Sequence, residues 1–214
     1  MVVDHFYFCT GDPDEIVNIL IDFGLKEGKS NTHPGQGTAN RRFFFQNSML
    51  ELLYVNDRSE LESDRTNVLG LAEQFDNPLK STLGIIFRPG ESENKRCPFE
   101  AVPYRPLYLP ENLHMDVVCN TGDLEPKFIY MDFATKPIGR EEIFHEIENI
   151  KYKCITKITL KVNIAELSNV EMIVKNNSDL NIEKSLEDIL EIELDDNSQG
   201  KVRDFTPFIP LRIK

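Results

Sequence analysis

One carboxylate of this chain lies in the middle of an otherwise apolar segment. Glu51 falls within residues 49–55, where every other side chain is aliphatic, aromatic or methionine, as in a buried β-strand. An ionised group in such a place costs free energy unless a partner compensates its charge or its pKa rises. Packing alone seldom explains a carboxylate among apolar neighbours, so Glu51 is a candidate general base or metal ligand.

A histidine with similar surroundings lies in the first predicted strand. His5 is flanked by strand-forming residues, among them Phe6 and Tyr7. Imidazole and carboxylate groups act together both in general acid–base catalysis and in metal binding. We therefore take His5 and Glu51 as the candidate catalytic residues and as candidate ligands of a divalent metal ion. The alternative for His5 is a structural histidine that is buried and hydrogen-bonded.

A glycine-bearing turn, His33-Pro34-Gly35-Gln36-Gly37-Thr38, lies between these two candidates in the sequence. Its glycines free the backbone for an unusual conformation, and His33 is either an exposed loop residue or a residue that gates a ligand site. The turn precedes a strand, whereas a phosphate-binding loop leads into a helix. The sequence also lacks a nucleophile elbow, a Gly-Lys-Ser phosphate loop and a dinucleotide fingerprint.

Composition limits the partners. The chain has 36 Asp and Glu against 24 Lys and Arg, a net charge of −12, which argues against nucleic acid or an anionic membrane surface and favours a small-molecule ligand. No segment approaches the roughly 18 apolar residues of a membrane helix, and the N-terminus shows no signal-like apolar run. We expect a cytoplasmic protein. The four cysteines are scattered singly, which favours reduced, buried thiols.

The first 56 residues predict the order βαβββ. After the strand that contains His5, residues 12–15 (Asp-Pro-Asp-Glu) combine an N-cap, a proline at the first helical position and a capping carboxylate. Apolar residues then recur at helical spacing until Gly24, which ends the helix. Three strands are predicted next, over residues 25–30, 38–46 and 48–55.

The C-terminal residues repeat this order. A strand over 154–162 precedes a helix through Val174, and further strands are predicted over 180–184, 188–194 and 206–213. Between the two units a charged linker is followed by strands over 81–88, 99–108, 113–119 and 127–133. We predict one α+β domain, 1–214, built of module 1 (1–56), an inserted linker with strands (57–153) and module 2 (154–214).

Tandem βαβββ units with His5 on a first strand and Glu51 on a fourth resemble the vicinal-oxygen-chelate superfamily, or glyoxalase fold. The turn that begins at His33, together with Asn40, and the ending Asp-Phe-Thr-Pro-Phe-Ile-Pro-Leu at 204–211 resemble its glyoxalase-like subgroup. The resemblance implies a cupped mixed sheet formed by the two modules around a divalent ion (zinc, manganese, iron or nickel). It also implies that the ligands come from the first and last strands of each module.

If the two modules superpose by strand parity, the second module presents Lys157 to the cup. Lysine in its ammonium form does not bind metals, so His5 and Glu51 alone are one ligand short of the usual three. His114 or Asp132 from the middle strands could supply the third ligand. Lys157 would instead pair with Glu51 across the cup, as a buried ion pair.

Two functions remain from different classes. One is a metal-dependent lyase, isomerase or dioxygenase that acts on a small oxygen-rich substrate. The other is a metal-free small-molecule-binding protein that uses the same cup. The sequence does not fix the oligomeric state and leaves a homodimer open. In both cases the predicted substrate-binding residues are Tyr7, His33, Asn40, Arg42 and Lys157.

Overall fold

The computed structural model describes residues 1–90, 95–119, 122–134, 150–163 and 170–214. Eight strands make up the larger of two sheets: β1 (Val2–Cys9), β2 (Asn31–His33), β3 (Thr38–Phe44), β4 (Met49–Val55), β5 (Leu83–Arg88), β6 (Ala101–Tyr104), β7 (Met115–Val118) and β8 (Lys127–Tyr130). Within these described residues no helix is long and apolar enough to cross a membrane.

The larger sheet is symmetric about its centre. Its strand order is β2-β3-β4-β1-β5-β8-β7-β6, and the two central strands, β1 and β5, are antiparallel. On one side β4 runs parallel to β1, and on the other β8 runs parallel to β5. The sheet therefore consists of two modules, β1 to β4 and β5 to β8, and the α+β class with a cupped mixed sheet is confirmed.

The second module of this sheet comes from the middle of the chain. The prediction that residues 154–214 share the cup with residues 1–56 is wrong, because the described C-terminal strands pair only with one another. Alternation of apolar residues predicts a strand but does not say which edges pair.

The smaller sheet has five strands in the order β10-β9-β11-β13-β12. The sequence places the start of the second helix within residues 164–169, which lie outside the described residues. The described part of this helix is α4. The predicted strand over 206–213 is shorter and begins at Leu211. The elements are β9 (Ile155–Val162), α4 (Val170–Asn177), β10 (Leu180–Lys184), β11 (Ile189–Leu194), β12 (Arg203–Asp204) and β13 (Leu211–Ile213).

In the first module the helix is observed as predicted. It spans Pro13–Phe23 (α1), with Asp12 accepting a hydrogen bond from the backbone of Asp14 and Gly24 as a left-handed C-cap. The predicted strand over 25–30 is not observed. The segment contributes one isolated bridge, and the strand β2 follows it. Two further short helices follow the first module, α2 (Arg58–Leu61) and α3 (Leu71–Asp76).

The two faces of the larger sheet have different partners. Along β1, Phe6 and Phe8 belong to one hydrophobic cluster, while Tyr7 and Cys9 belong to another. The Phe6 cluster forms the back of the sheet, where α1 and the smaller sheet cover it with Ile16, Leu20, Leu160, Leu190, Ile192 and Leu211. The continuity of this cluster supports the prediction of a single domain, which stays a prediction.

The other face, called the cup face here, carries Tyr7 and Cys9. Leu61, Leu69 and Leu71 of the α2–α3 segment pack onto it. The smaller sheet therefore lies behind the larger one and leaves the cup face free for a ligand.

Polar contacts fix the smaller sheet to the back of the larger one. The side-chain amide of Asn47 donates to the Ile155 carbonyl at 2.7 Å and accepts from the Ile155 backbone N–H at 3.0 Å. Phe23 at the end of α1 stacks on Tyr152, with ring centroids 5.3 Å apart. The two sheets are therefore joined by matched hydrogen bonds as well as by apolar contact.

Gly84 in β5 gives a test of the packing on the cup face. Its backbone lies directly beneath the Tyr7 ring, and a Cβ there would be 2.0 Å from Cε1 and Cζ of that ring. We expect Gly84→Ala to lower the free energy of unfolding by about 1–3 kcal/mol, since the buried ring has no room to move. Gly11→Ala is the matched control, because nothing lies within 4 Å of its added Cβ. Equal urea midpoints for the two variants would contradict the prediction.

Candidate functional site

A cavity of ≈ 170 Å³ opens on the cup face. It is lined by residues of β1, β2, β4, β5, β7 and β8 and of three connecting segments. The polar lining side chains are His5, Tyr7, His33, Gln36, Glu51 and Tyr108. The apolar lining side chains are Leu53, Leu69, Leu71, Ile86, Met115 and Ile129. The structure thus brings the two candidate catalytic residues and the glycine-bearing turn to one cavity.

Glu51 lines this cavity and is 8% exposed. Its neighbours on the adjacent strands are Tyr7 in β1 and Arg42 in β3. Among the described residues its one hydrogen bond comes from Asn40 Nδ2 to Oε1, at 3.0 Å. Asn40 Oδ1 accepts from the Asn31 backbone, which leaves the amide nitrogen for Glu51. The second carboxylate oxygen is free to meet a ligand.

His5 is oriented by its neighbour Asp4. His5 Nδ1 lies 2.6 Å from Asp4 Oδ1, and a carboxylate can only accept, so Nδ1 carries the proton and Nε2 is the nitrogen left for the cavity. Arg88 Nε, 3.2 Å from Asp4 Oδ2, compensates the charge of this buried carboxylate. Asp4 is therefore a positioning residue for His5.

A β-bulge makes the contact between Asp4 and His5 possible. Adjacent residues of a regular strand point to opposite faces, and sequence reasoning therefore gave Asp4 no role. In the pairing of β1 with β5, Val3 lies opposite Phe87 and His5 opposite Ile86, so Asp4 is the extra residue. Such bulges turn a side chain away from its regular direction. The sequence carries the acidic neighbour but no signal of the bulge.

A chain of hydrogen bonds leads from Asn40 to the loop after β6. Asn40 Nδ2 lies 3.4 Å from His33 Nε2, and His33 Nδ1 lies 2.9 Å from Thr38 Oγ1. Gln36 donates from Nε2 to Thr38 Oγ1 and accepts from the Tyr108 hydroxyl, both at 2.9 Å. The Tyr108 ring also lies against the His33 ring, with centroids 5.1 Å apart. His33 is therefore a fixed part of the cavity wall.

The glycine-bearing turn is fixed by its contacts with α2. Gly37 has a φ of +78°, and a Cβ there would be 2.3 Å from the Asp57 carbonyl oxygen, so only glycine fits. The Gly35 N–H donates to Glu60 Oε2 at 2.7 Å. These contacts hold His33 and Gln36 at the rim of the cavity.

Of the predicted substrate-binding residues, Tyr7 and His33 line the cavity and Asn40 binds Glu51. Tyr7 donates its hydroxyl hydrogen to Gln74 Oε1 at 2.9 Å, so it acts as a wall. Arg42 lies on the cup face, opposite Glu51, but does not line the cavity.

Arg42 is already occupied by the protein. Its Nε donates to the Lys29 carbonyl at 2.7 Å, and its guanidinium carbon lies 5.1 Å from the centre of the Phe44 ring. Burial lowers the pKa of Arg42, and Glu51 opposes that shift.

Lys157 does not reach this cavity. It is an exposed residue of β9, in register with Glu193 of β11 in the smaller sheet. The prediction that Lys157 faces the cup and pairs with Glu51 is wrong, because the smaller sheet packs behind the cup. The cation on the strand next to Glu51 is Arg42.

The donor set does not fit a three-ligand metal centre. In the described part of the chain no three His, Cys, Asp or Glu side chains come together to hold an ion. The strands that would supply ligands from the second module, β5 and β8, present Ile86 and Ile129 to the cavity. Neither His114, which is 3.3 Å from Asp116, nor Asp132 belongs to the lining.

Comparison with known proteins supports the fold. Residues 3–92 match the model of a family described as a glyoxalase-like domain, which covers the first module and β5. The crystal structure of a hypothetical protein from Staphylococcus aureus aligns with 100% of this chain and 98% of its own, with a TM-score of 0.62 and 15% identity. That similarity extends over both sheets. No curated protein matches the sequence.

Two methylmalonyl-CoA epimerases align with 60% of this chain. The Streptomyces coelicolor enzyme, in complex with 2-nitronate-propionyl-CoA, has a TM-score of 0.35, 15% identity and 96% of its own chain covered. The Mycobacterium tuberculosis enzyme has a TM-score of 0.35, 14% identity and 87% coverage. Similarity at this level carries no argument about the site of the present chain.

His33 predicts an acid sensitivity of the fold. Burial lowers its pKa from the ordinary 6.5, and Glu51 only partly opposes this shift. Because the unfolded chain then binds the proton more readily, stability falls as the pH drops through about 6.5 and below. We expect the stability difference between wild type and His33→Gln to shrink from about pH 8 to about pH 5 in urea titrations.

The control is His114→Gln, which replaces a histidine outside the cavity and reports the effect of the substitution itself. If the difference in unfolding free energy between wild type and His33→Gln stays constant over the same pH range, the lowered pKa of His33 is contradicted.

The incomplete donor set predicts weak metal binding. We expect the purified protein to hold less than one tightly bound divalent ion per chain, because His5 Nε2 and Glu51 supply two ligands where stable sites use three or four. Elemental analysis of wild type, His5→Ala and Glu51→Gln tests this. A stoichiometric ion that both substitutions remove would overturn it and would require a third ligand.

Proposed function

We propose that this chain, a glyoxalase-like protein of the vicinal-oxygen-chelate superfamily, binds a small molecule in the cup and moves a proton on it, with Glu51 as the base. The reaction class is an isomerase or lyase reaction at a carbon next to a carbonyl group. One observation carries the proposal: Glu51 is a nearly buried carboxylate that lines a cavity, held through one oxygen by Asn40. It makes no ion pair with any described residue, so its charge is available for chemistry.

The two polar side chains divide the proton transfer between them. Glu51 takes the proton from the carbon, which breaks the C–H bond and leaves negative charge on the carbonyl oxygen. His5 Nε2 accepts this proton from Glu51 and gives it to that oxygen, which forms the enol, while Nδ1 keeps the proton that Asp4 binds. Asp4 supports this step because its carboxylate stabilises the imidazolium and fixes the ring. Return of a proton to another position then gives the isomer.

Surroundings of low polarity favour this use of a carboxylate. Glu51 has Leu53 two residues further along its strand, and Ile86 and Ile129 line the same cavity. Apolar side chains around a reacting group limit its contact with water. No step needs a metal ion, in agreement with the two-ligand donor set.

A metal-free binding protein is the second candidate. The apolar half of the lining favours it, since it supplies contact area for a ligand whether or not a reaction follows. The two candidates differ in what Glu51 does. A base is needed for exchange of a carbon-bound proton, whereas binding alone needs only the shape of the cavity.

Exchange with solvent deuterium tests the proposal without knowledge of the natural substrate. A panel of small ketones, aldehydes and thioesters is incubated in deuterium oxide, and loss of the C–H signal next to the carbonyl is followed by NMR. We expect wild type to promote exchange for a subset of the panel, and Glu51→Gln to slow it by at least about a hundredfold, the usual contribution of a general base.

The matched control is Glu193→Gln, which removes one carboxylate charge from the smaller sheet and should leave exchange unchanged. Thermal melts of both variants show whether the fold is kept. Equal exchange rates in wild type and a folded Glu51→Gln would defeat the role of Glu51 as base. Binding of panel members without exchange would favour the second candidate.

A further inference from the structure

The charges around the cavity restrict which molecules can enter it. Glu51 is the one carboxylate among the described lining residues, and no lysine or arginine belongs to that lining. The remaining polar groups are two imidazoles, one amide and two phenols. An anion inside the cavity would therefore lie close to Glu51 with no lysine or arginine from the lining to balance it.

The two arginines that lie beside Glu51 and Asp4 are not available to balance an anion. Arg42 is bound to the Lys29 carbonyl and packed on the Phe44 ring, and Arg88 lies against Asp4. Moving either side chain toward the cavity would break these contacts. For Arg88 it would also break the ion pair with the buried Asp4 carboxylate, which is costly.

Six apolar side chains supply the rest of the lining. They come from the first module, the α2–α3 segment and the second module, so the apolar surface spans most of the cavity. Burial of apolar ligand surface against it is the main source of affinity that the cavity offers. A cavity of ≈ 170 Å³ has room for a branched or cyclic group of a few carbon atoms.

We propose that the molecule bound in this cavity carries no negative charge: it is a small carbonyl compound with a branched or cyclic apolar body. The apolar body lies against Ile86, Met115 and Ile129, and the C–H group next to the carbonyl lies against Glu51. This orientation rests on the proposed function. The exclusion of negative charge rests on the lining alone.

A matched series of ligands tests the exclusion of negative charge. Isocaproamide, isocaproate and isohexylamine share one branched carbon body and differ in the charge of the head group. Binding is measured by ligand-observed NMR and by titration calorimetry on the full chain. We expect the neutral amide to bind at least about tenfold more tightly than the carboxylate, because the carboxylate would meet Glu51 in a medium of low polarity.

Two variants separate the contributions of charge and apolar surface. Glu51→Gln removes the charge and keeps the shape, so isocaproate should gain affinity and come within about threefold of the amide. Ile129→Ala should weaken all three ligands, since it removes apolar wall. Leu186→Ala, at an exposed leucine of the smaller-sheet segment, is the control and should change none of them.

Tighter binding of isocaproate than of the amide would overturn the proposal, as would equal affinities of these two ligands in wild type. No binding of any of the three at millimolar concentration would also count against it. These results are independent of the deuterium-exchange experiment, because a chain that binds the amide without catalysing exchange loses the proposed reaction and keeps the ligand class.

Discussion

The hydrogen bond from Asn40 to Glu51 is the contact on which the candidate site depends. A carboxylate in the middle of a sheet is tolerated only when its charge is solvated by the protein. Asn40 does this with one amide hydrogen and uses its carbonyl oxygen to hold β2 through Asn31. The same amide lies against His33, so the strand edge, the histidine and the carboxylate are fixed by one side chain.

The pairing of β1 with β4 brings His5 to the same cavity. The two strands run parallel, and Tyr7 lies opposite Glu51, so the cup-facing residues of both strands share one wall. A bulge at Asp4 then turns a carboxylate toward His5 that a regular strand would direct to the back of the sheet. Glu51 and His5 therefore reach the same cavity but have different partners. Glu51 is bound by an amide, and His5 by a carboxylate that Arg88 compensates.

The back of the larger sheet is covered, which leaves the front free for a ligand. α1 and the smaller sheet pack on the Phe6 cluster, while the α2–α3 segment covers part of the cup face with leucines. This arrangement explains why the cavity is polar on the first-module strands and mostly apolar elsewhere. In the second module β5 and β8 face the cavity with isoleucines, so they can bind apolar groups but cannot complete a metal centre from the described residues.

Local features of the chain were determined by the sequence itself. The capping residues Asp12 and Gly24 predicted the limits of α1, and the apolar run around Glu51 predicted β4. The same burial argument singled out Glu51, and His5 followed from its strand-forming neighbours. The predictions of α1 and β4 succeed because capping and alternation depend on residues that are close in the chain.

Only the tertiary structure decided which strands lie side by side. Both the middle and the C-terminal segments predict strands, yet the strands of the middle segment complete the cup, because edge pairing depends on the packing of whole faces and not on alternation. That choice removed Lys157 from the site and made Arg42 the nearby cation. It also brought Ile86, Met115 and Ile129 to the ligand cavity. The role of Asp4 was decided in the same way, since a bulge arises from the register between two strands that are distant in sequence.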